Sequence, residues 1–109
     1  MARLLSTALV VLGLFLSSAY AQSPKIFIAS TGADANDGSR ASPKRSLQAA
    51  HDAVAAGGEV VILDTAGYGA VTITKSVGVV VPPGVNGFVT VTAASTNGIT
   101  INAGANDVV

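Results

Sequence analysis

The sequence predicts a mainly β fold that is preceded by a single helix. Short apolar runs rich in β-branched residues fill the half from Glu59 to Val109, and such side chains favour the extended state. Gly, Pro and Asn separate these runs, as tight turns require. No helical periodicity is visible in this half, whereas one Ala-rich stretch before it has the composition of a helix.

Composition excludes several classes of function. The 109 residues include six basic and six acidic ones, so the formal net charge of zero argues against nucleic acid as a partner. The absence of Cys excludes a disulfide scaffold, a thiolate metal site and a cysteine nucleophile. Aromatic residues make up 5% of the chain and Trp is absent, which argues against a large stacking platform for sugars or bases. The length allows one domain.

Residues 1–21 have the three parts of a secretory signal peptide. Arg3 supplies the positive charge, the segment from Leu4 to Leu16 is apolar, and small residues precede a cleavage point after Ala21. Cleavage there would leave Gln22 as the new N-terminus. An uncleaved membrane anchor is the alternative, but it needs roughly 20 apolar residues. We therefore predict a protein that is secreted, periplasmic or on the cell surface, with no membrane segment after cleavage.

A short opening strand is predicted at 25–29, followed by a polar loop. Asp34, Asn36 and Asp37 lie close together in this loop and are the candidate ligands for a calcium ion. An EF-hand is excluded because no closing Glu follows. The reading that we favour is Asx-turn chemistry, in which these side chains bond to nearby backbone. We therefore expect no cofactor, with calcium left open.

The predicted helix covers 46–56. Ser46 is a natural N-cap, and Gly57-Gly58 supplies the residues that often end a helix. Leu47 and Val54 fall on one apolar face at helical spacing.

His51 is the only histidine of the chain and hence the first candidate for a general base. A general base needs a group that orients it and a substrate proton in reach. Asp52 is predicted to point to a different helix face, and Gln48 is predicted to lie away from the apolar face. We therefore predict a partly buried structural histidine and no catalytic residue in this chain.

The second half is predicted to contain six short strands. They are Val60–Leu63, Val71–Ile73, Val77–Val81, Phe88–Val91, Ile99–Ile101 and Val108–Val109.

Five segments in order resemble one known family. Phe27–Gly38 resembles an opening strand with a GxDxNDG loop, and Ser42–Ala50 resembles a loop that leads into a capping helix. Gly57–Leu63 is similar to a first coil strand, Ala66–Tyr68 to a pGxY turn, and Val71–Ile73 to the next strand. Together they resemble the N-terminal region of right-handed parallel β-helix proteins of the pectate lyase-like superfamily, also called the pectin lyase fold.

The resemblance implies a solenoid with an N-terminal capping α-helix. Coils of three short parallel strands would stack from residue 59 onward, within a domain of residues 22–109. The helix would cover the first coil, with Leu47 and Val54 as the contacts. Some relatives carry a cysteine pair around the loop before the helix, whereas Gly38 and Lys44 stand in that region here.

The resemblance also implies a function that this stretch does not itself carry. It implies an exported protein related to polysaccharide lyases or hydrolases, with polysaccharide as the partner. In such lyases the catalytic residues lie on central coils, which would follow Val109. The acidic residues and the histidine of this chain form no pair or cluster by spacing, and Lys75 is the only basic residue after Arg45. We therefore predict the N-terminal cap and first coils rather than the active site.

Two alternatives and one expectation about the end of the chain stay open. A non-catalytic carbohydrate-binding or adhesin-like surface β-helix fits the same features, and a small unrelated β-sandwich also has short Val/Thr strands. Asp107-Val108-Val109 resembles the start of another strand. We therefore expect an incomplete solenoid that continues further, or end-to-end self-association through the open C-terminal coil.

Overall fold

The computed structural model describes residues 22–92 and 97–109. The signal peptide predicted for Met1–Ala21 lies outside these residues. Within them the chain forms one helix and seven strands, so the prediction of a mainly β fold is confirmed. In chain order they are β1 (Ser23–Ile28), α1 (Leu47–Ala53), β2 (Val54–Ile62), β3 (Ala66–Gly67), β4 (Val71–Ile73), β5 (Val77–Val80), β6 (Gly87–Phe88) and β7 (Ile99–Ile101).

The described strands pair only in parallel, and most pairs skip along the chain. β1 pairs with β2, and β2 pairs on its other side with β5. β3 pairs with β6, and β4 pairs with β7. Each of β2, β3 and β4 therefore pairs with the strand that comes three positions later. The three sheets are small and open, with three, two and two strands. A β-sandwich of the immunoglobulin type requires antiparallel pairs, and the described strands make none.

The helix begins as predicted and ends earlier than predicted. Ser46 is its N-cap, because the Ser46 hydroxyl accepts a hydrogen bond from the Ala49 N–H at 3.2 Å. The predicted end at residue 56 is wrong, since the buried Val54 already has extended backbone and starts β2. Gly57 and Gly58 therefore lie inside β2, where Gly57 has a positive φ of 81°. Pairing of Val54 with Ser23 of β1 ends the helix despite the helical preference of the two alanines that follow.

The core lies between α1 and the first strands of each sheet. Its buried members are Ile26, Ile28, Leu47, Ala50, Val54, Val60, Ile62, Tyr68, Val71, Ile73 and Val77. Tyr68 is only 1% exposed. The sequence predicts a turn around this residue, but β3 instead occupies Ala66–Gly67 and delivers the Tyr68 ring to the core.

The strands of the second half are predicted with mixed accuracy. β4 and β7 have the predicted bounds, and β5 ends one residue early, before the prolines at 82 and 83. β6 is shorter than the predicted Phe88–Val91. The predicted strand Val108–Val109 is not a strand, although the Val108 carbonyl accepts a hydrogen bond from the Val77 N–H at 3.0 Å.

Candidate functional site: a cap over the strand edges

One edge of β2, β3 and β4 is covered by the chain segment that precedes them. We call residues 23–53 the cap. The cap covers β2 with a full strand, because β1 runs beside it in register, with Ile26 opposite Val60 and Ile28 opposite Ile62. Parallel strands leave a row of unpaired backbone groups at each edge, so β3 and β4 also need partners.

The start of α1 supplies partners for the end of β3. The Leu47 N–H donates to the Tyr68 carbonyl at 3.0 Å. Arg45 donates from Nη1 to the Gly67 carbonyl at 3.0 Å, and its guanidinium carbon lies 5.5 Å from the centre of the Tyr68 ring. Helix N–H groups in the first turn have no partner within the helix, and one of them is used here to cover a strand edge.

Two side chains of α1 take the place of a neighbouring strand beside β4. The Gln48 Oε1 accepts from the Thr72 N–H at 2.8 Å, and Gln48 Nε2 lies 3.5 Å from the Thr72 carbonyl. The His51 Nε2 accepts from the Thr74 N–H at 3.2 Å. Residues three apart on a helix lie about 5–6 Å apart, and alternate residues of a strand about 6.5 Å. One helix face can therefore serve two strand amides.

The tautomer of His51 follows from these contacts. Since Thr74 donates to Nε2, the ring proton lies on Nδ1, which is 3.0 Å from Asp52 Oδ1. The side chain of His51 is 4% exposed and that of Asp52 is 65% exposed. The hydrogen bond from His51 is the main cause that lowers the pKa of Asp52 below its ordinary value.

One prediction about this helix is therefore wrong. Asp52 does not point away from His51, because its carboxylate reaches back to the neighbouring ring. Gln48 was predicted only to lie away from the apolar face, and its bond to the backbone of Thr72 was not foreseen. Both ring nitrogens of His51 are occupied, Nδ1 by Asp52 within the cap and Nε2 by the Thr74 N–H, so the contacts are those of a structural residue.

Asp34 fixes the loop of the cap to the start of α1. Its carboxylate accepts from the N–H of Arg45 at 3.1 Å, and from the N–H and hydroxyl of Ser46 at 2.8 and 2.9 Å. Partial desolvation raises the pKa of Asp34, but the bonds from Ser46 and Arg45 outweigh it and hold that pKa below its ordinary value.

The other two candidate calcium ligands are also engaged in the loop. Asn36 donates from Nδ2 to the Pro43 carbonyl at 2.9 Å, and Asp37 accepts from the Ser39 N–H at 2.9 Å. Within residues 22–92 and 97–109, no group of three or more His, Cys, Asp or Glu residues could hold a metal ion. Asp37 makes the contact of an Asx turn, to the N–H two residues on, whereas Asn36 and Asp34 bond to the more distant residues Pro43, Arg45 and Ser46.

A second polar cluster joins the end of β1 to the turn after β2. Asp64 accepts from the Ser30 N–H at 2.8 Å, from the Ser30 hydroxyl and from the Tyr68 hydroxyl at 2.5 Å. Hydrogen bonds from Ser30 and then Tyr68 lower the pKa of Asp64. Burial, and then the Asp64 carboxylate, raise the pKa of Tyr68 to about 12.

The opposite edge is largely uncovered by the described residues, apart from the start of β5, where the Val77 N–H donates to the Val108 carbonyl. We call β5, β6 and β7 together the open edge. Within residues 22–92 and 97–109, the exposed large apolar side chains lie from β5 onward: Val79, Val80, Val81, Phe88, Val89, Val91, Ile99, Ile101, Val108 and Val109. Register partners on the two edges differ strongly in exposure: Ile73 in β4 is 5% exposed, while its partner Ile101 in β7 is 60% exposed.

Sequence reasoning finds part of this site and misses part of it. Leu47 and Val54, predicted as the cap contacts, are both in the core. Gln48 and Arg45 were missed as edge partners. The signal that identifies Gln48 is its spacing of three residues from His51, which places two polar side chains on one face of a helix that also carries Leu47.

The described residues show neither a cavity nor a helix long and apolar enough to cross a membrane. Comparison of the chain with models of protein families, with curated proteins and with solved structures found no match.

Proposed function

We propose that this chain is the N-terminal cap and the first coils of a right-handed parallel β-helix, in an exported protein related to polysaccharide lyases or hydrolases. Its role is to start the solenoid and to close one end of it. The observation that carries the proposal is the order of pairing: β2, β3 and β4 pair in turn with β5, β6 and β7.

A solenoid coil contributes one strand to each sheet, and the next coil repeats the same order. Partners such as Val60 and Val79, or Val71 and Ile99, are separated along the chain by about one solenoid repeat of roughly 20–45 residues. The cap then occupies the position that terminal repeats have in such proteins, where a polar surface must replace a missing neighbour. Its contacts to β2, β3 and β4 fit that role.

The chemistry of the protein would lie on coils other than these. His51 and Asp52 hold α1 beside Thr74, which follows β4, and Asp64 holds Ser30 and Tyr68. These three side chains are therefore engaged in the fold and are not free to act on a polysaccharide. Polysaccharide as the substrate rests on the family resemblance of the sequence, and export rests on the leader of residues 1–21.

A non-catalytic surface protein that binds carbohydrate, or an adhesin-like one, is the second candidate. One observation favours it. Thr72 and Thr100 are register partners in β4 and β7, so their hydroxyls stand in line on one face. Continued over further coils, such a ladder of threonines would give a flat, uncharged contact surface.

The intact mass of the native product tests whether these residues are part of a larger solenoid. An antibody raised against residues 22–42 would recover the product from medium and cell envelope, and mass spectrometry would give its intact mass. The proposal predicts a mass well above that of residues 22–109. A product of residues 22–109 alone would contradict it.

The recovered product would then be incubated with acidic polysaccharides, and unsaturated or reducing ends would be assayed. Cleavage supports the enzyme. Retention on a polysaccharide column without cleavage favours the surface protein. If the product shows neither cleavage nor retention, only the structural role remains.

A further inference from the structure

The loop of the cap closes around the ammonium group of Lys44. Lys44 Nζ donates to the Asp34 carbonyl at 2.8 Å and to the Asn36 carbonyl at 2.6 Å. A lysine ammonium is a compact positive charge with three donors, so two carbonyl oxygens from alternate residues of one loop point at one cation. In calcium loops, oxygen ligands from alternate residues, backbone carbonyls among them, surround the ion in the same way.

Two carboxylates lie close enough to this ammonium group to respond to its charge. Hydrogen bonds from Ser39 are the main cause that lowers the pKa of Asp37, and the positive charge of Lys44 lowers that pKa further. Burial raises the pKa of Asp34, the bonds from the start of α1 more than offset this, and the charge of Lys44 adds to them. The cation therefore has two carbonyl oxygens in contact and two carboxylates nearby, which is the environment of a divalent ion in an oxygen-ligand site.

The backbone of Lys44 is fixed, and this limits where its side chain can reach. Its N–H donates to the Phe27 carbonyl at 2.9 Å, and its carbonyl accepts from the Ala29 N–H at 3.0 Å. On the loop side, a Cβ on Gly32 would overlap the Lys44 carbonyl, so the loop backbone lies directly against it. The position of the ammonium group inside the loop therefore follows from the fold of the cap.

We infer that this loop is a cation site whose resident cation is the Lys44 ammonium, and that calcium takes the same position once that charge is removed. Asp34, Asn36 and Asp37 are the residues that the sequence indicates as calcium ligands, and two of their carbonyls bond to the lysine instead. In the unmodified chain the two cations exclude each other, because like charges at one position repel strongly. The site lies within the cap and does not depend on the coil arrangement.

Calcium fits the emptied position better than magnesium does. Calcium accepts carbonyl, carboxylate and water oxygens in a flexible geometry, whereas magnesium demands a nearly ideal octahedron and gives up its water reluctantly. Without the ammonium group, the loop offers the carbonyls of Asp34 and Asn36 and the nearby carboxylates of Asp34 and Asp37, with water to complete the shell. Extracellular modules with such ligands bind calcium with a Kd of about 10⁻⁴–10⁻³ M, and we expect this range here.

Lys44→Met in the chain after Ala21 tests the site, because methionine keeps an unbranched stem and removes the charge. In the presence of a calcium chelator, the variant should be less stable than the unmodified chain. Calcium at about 5 mM should then raise the folding equilibrium constant of the variant at least about sixfold, and leave that of the unmodified chain unchanged. Equal stabilisation of the two chains by calcium, or no stabilisation of the variant, would overturn the inference.

Lys25→Met is the matched control, because Lys25 is an exposed lysine on β1, outside the loop. Calcium should leave the stability of this control unchanged. Adding Asp37→Asn to Lys44→Met should weaken calcium binding, measured by isothermal titration calorimetry, by about tenfold, since the affinity of such sites depends on ligand charge. A calcium response of the control, or an unchanged affinity of the double variant, would contradict the assigned site.

NMR of the unmodified chain gives a test that does not require Lys44→Met to fold. The ammonium protons of Lys44 are held by two carbonyls, so they should exchange with water more slowly than those of the exposed Lys25. Equal exchange rates of the two ammonium groups would show that Lys44 is not the resident cation of the loop.

Discussion

Tyr68 illustrates how one residue joins the core to the polar surface of the cap. Its ring is buried in the core, while its hydroxyl donates to the Asp64 carbonyl and carboxylate at 2.5 Å. Arg45 lies over the other side of the ring. A buried hydroxyl without a partner would be costly, so the position of Asp64 is tied to that of Tyr68.

The titration of Tyr68 can be followed alone, because the only other tyrosine is Tyr20 in the leader. In residues 22–109, the absorbance of tyrosinate should report a pKa of about 12 in the folded chain against 10.0 for the ordinary group. Because the pKa is raised in the folded state, the stabilisation is complete below pH 10 and is lost as the pH rises toward 12. It amounts to about 2–3 kcal/mol.

The control for this titration is the same chain in concentrated urea, where Tyr68 should titrate at its ordinary pKa. Tyr68→Phe should remove the absorbance change and the matching loss of stability in alkali. An ordinary pKa for Tyr68 in the folded chain would show that its hydroxyl is not held by Asp64.

At the scale of elements, α1 both covers the apolar core and supplies hydrogen-bond partners to a strand edge, as a neighbouring strand would. Its seven residues are too few for an isolated helix to be stable in water, so its contacts must hold it. Leu47 and Ala50 face the core, Gln48 bonds to β4, and His51 bonds to Thr74, the residue that follows β4.

Gln48→Ala should lower the free energy of unfolding by about 1 kcal/mol, since the Thr72 N–H loses its partner. Amide hydrogen exchange should show faster exchange at Thr72, with little change in the strand pairs of β1. Gln22→Ala is the matched control, because Gln22 is exposed before β1. Equal effects of the two variants, measured by urea unfolding, would contradict the role of Gln48.

Leu47→Ala should lower the free energy of unfolding by about 2–5 kcal/mol, because it leaves a cavity under α1. Leu63→Ala removes the same atoms from a half-buried position and should cost about 1 kcal/mol. Thermal or urea unfolding compares the two. A Leu47→Ala chain as stable as the Leu63→Ala chain would show that α1 does not cover the core.

Element bounds were predicted correctly where nearby residues determine them, and incorrectly where contacts with distant residues determine them. β4 and β7 were predicted with correct bounds because β-branched residues and flanking turns mark them in the sequence. The end of α1 was missed because pairing of β2 with β1 depends on residues about thirty positions earlier. The role of Gln48 was missed for the same reason, since its partner Thr72 comes from a distant strand.

The molecule as a whole has one edge that the cap covers and a second edge, the open edge of β5, β6 and β7, that is mostly unpaired. The cap bonds to β2, β3 and β4, and the register then repeats from these strands to β5, β6 and β7. The sequence alone predicted short strands, but parallel register is a property of paired segments and is not readable from a single run of residues. The resemblance to β-helix proteins supplied that expectation.

The most direct test is an NMR measurement of side-chain contacts between strands in residues 22–109. The account predicts contacts between Val60 and Val79, between Val71 and Ile99, and between Ile73 and Ile101, all in parallel register. Close Hα–Hα contacts between strands that are consecutive in the chain, as antiparallel hairpins give, would contradict it.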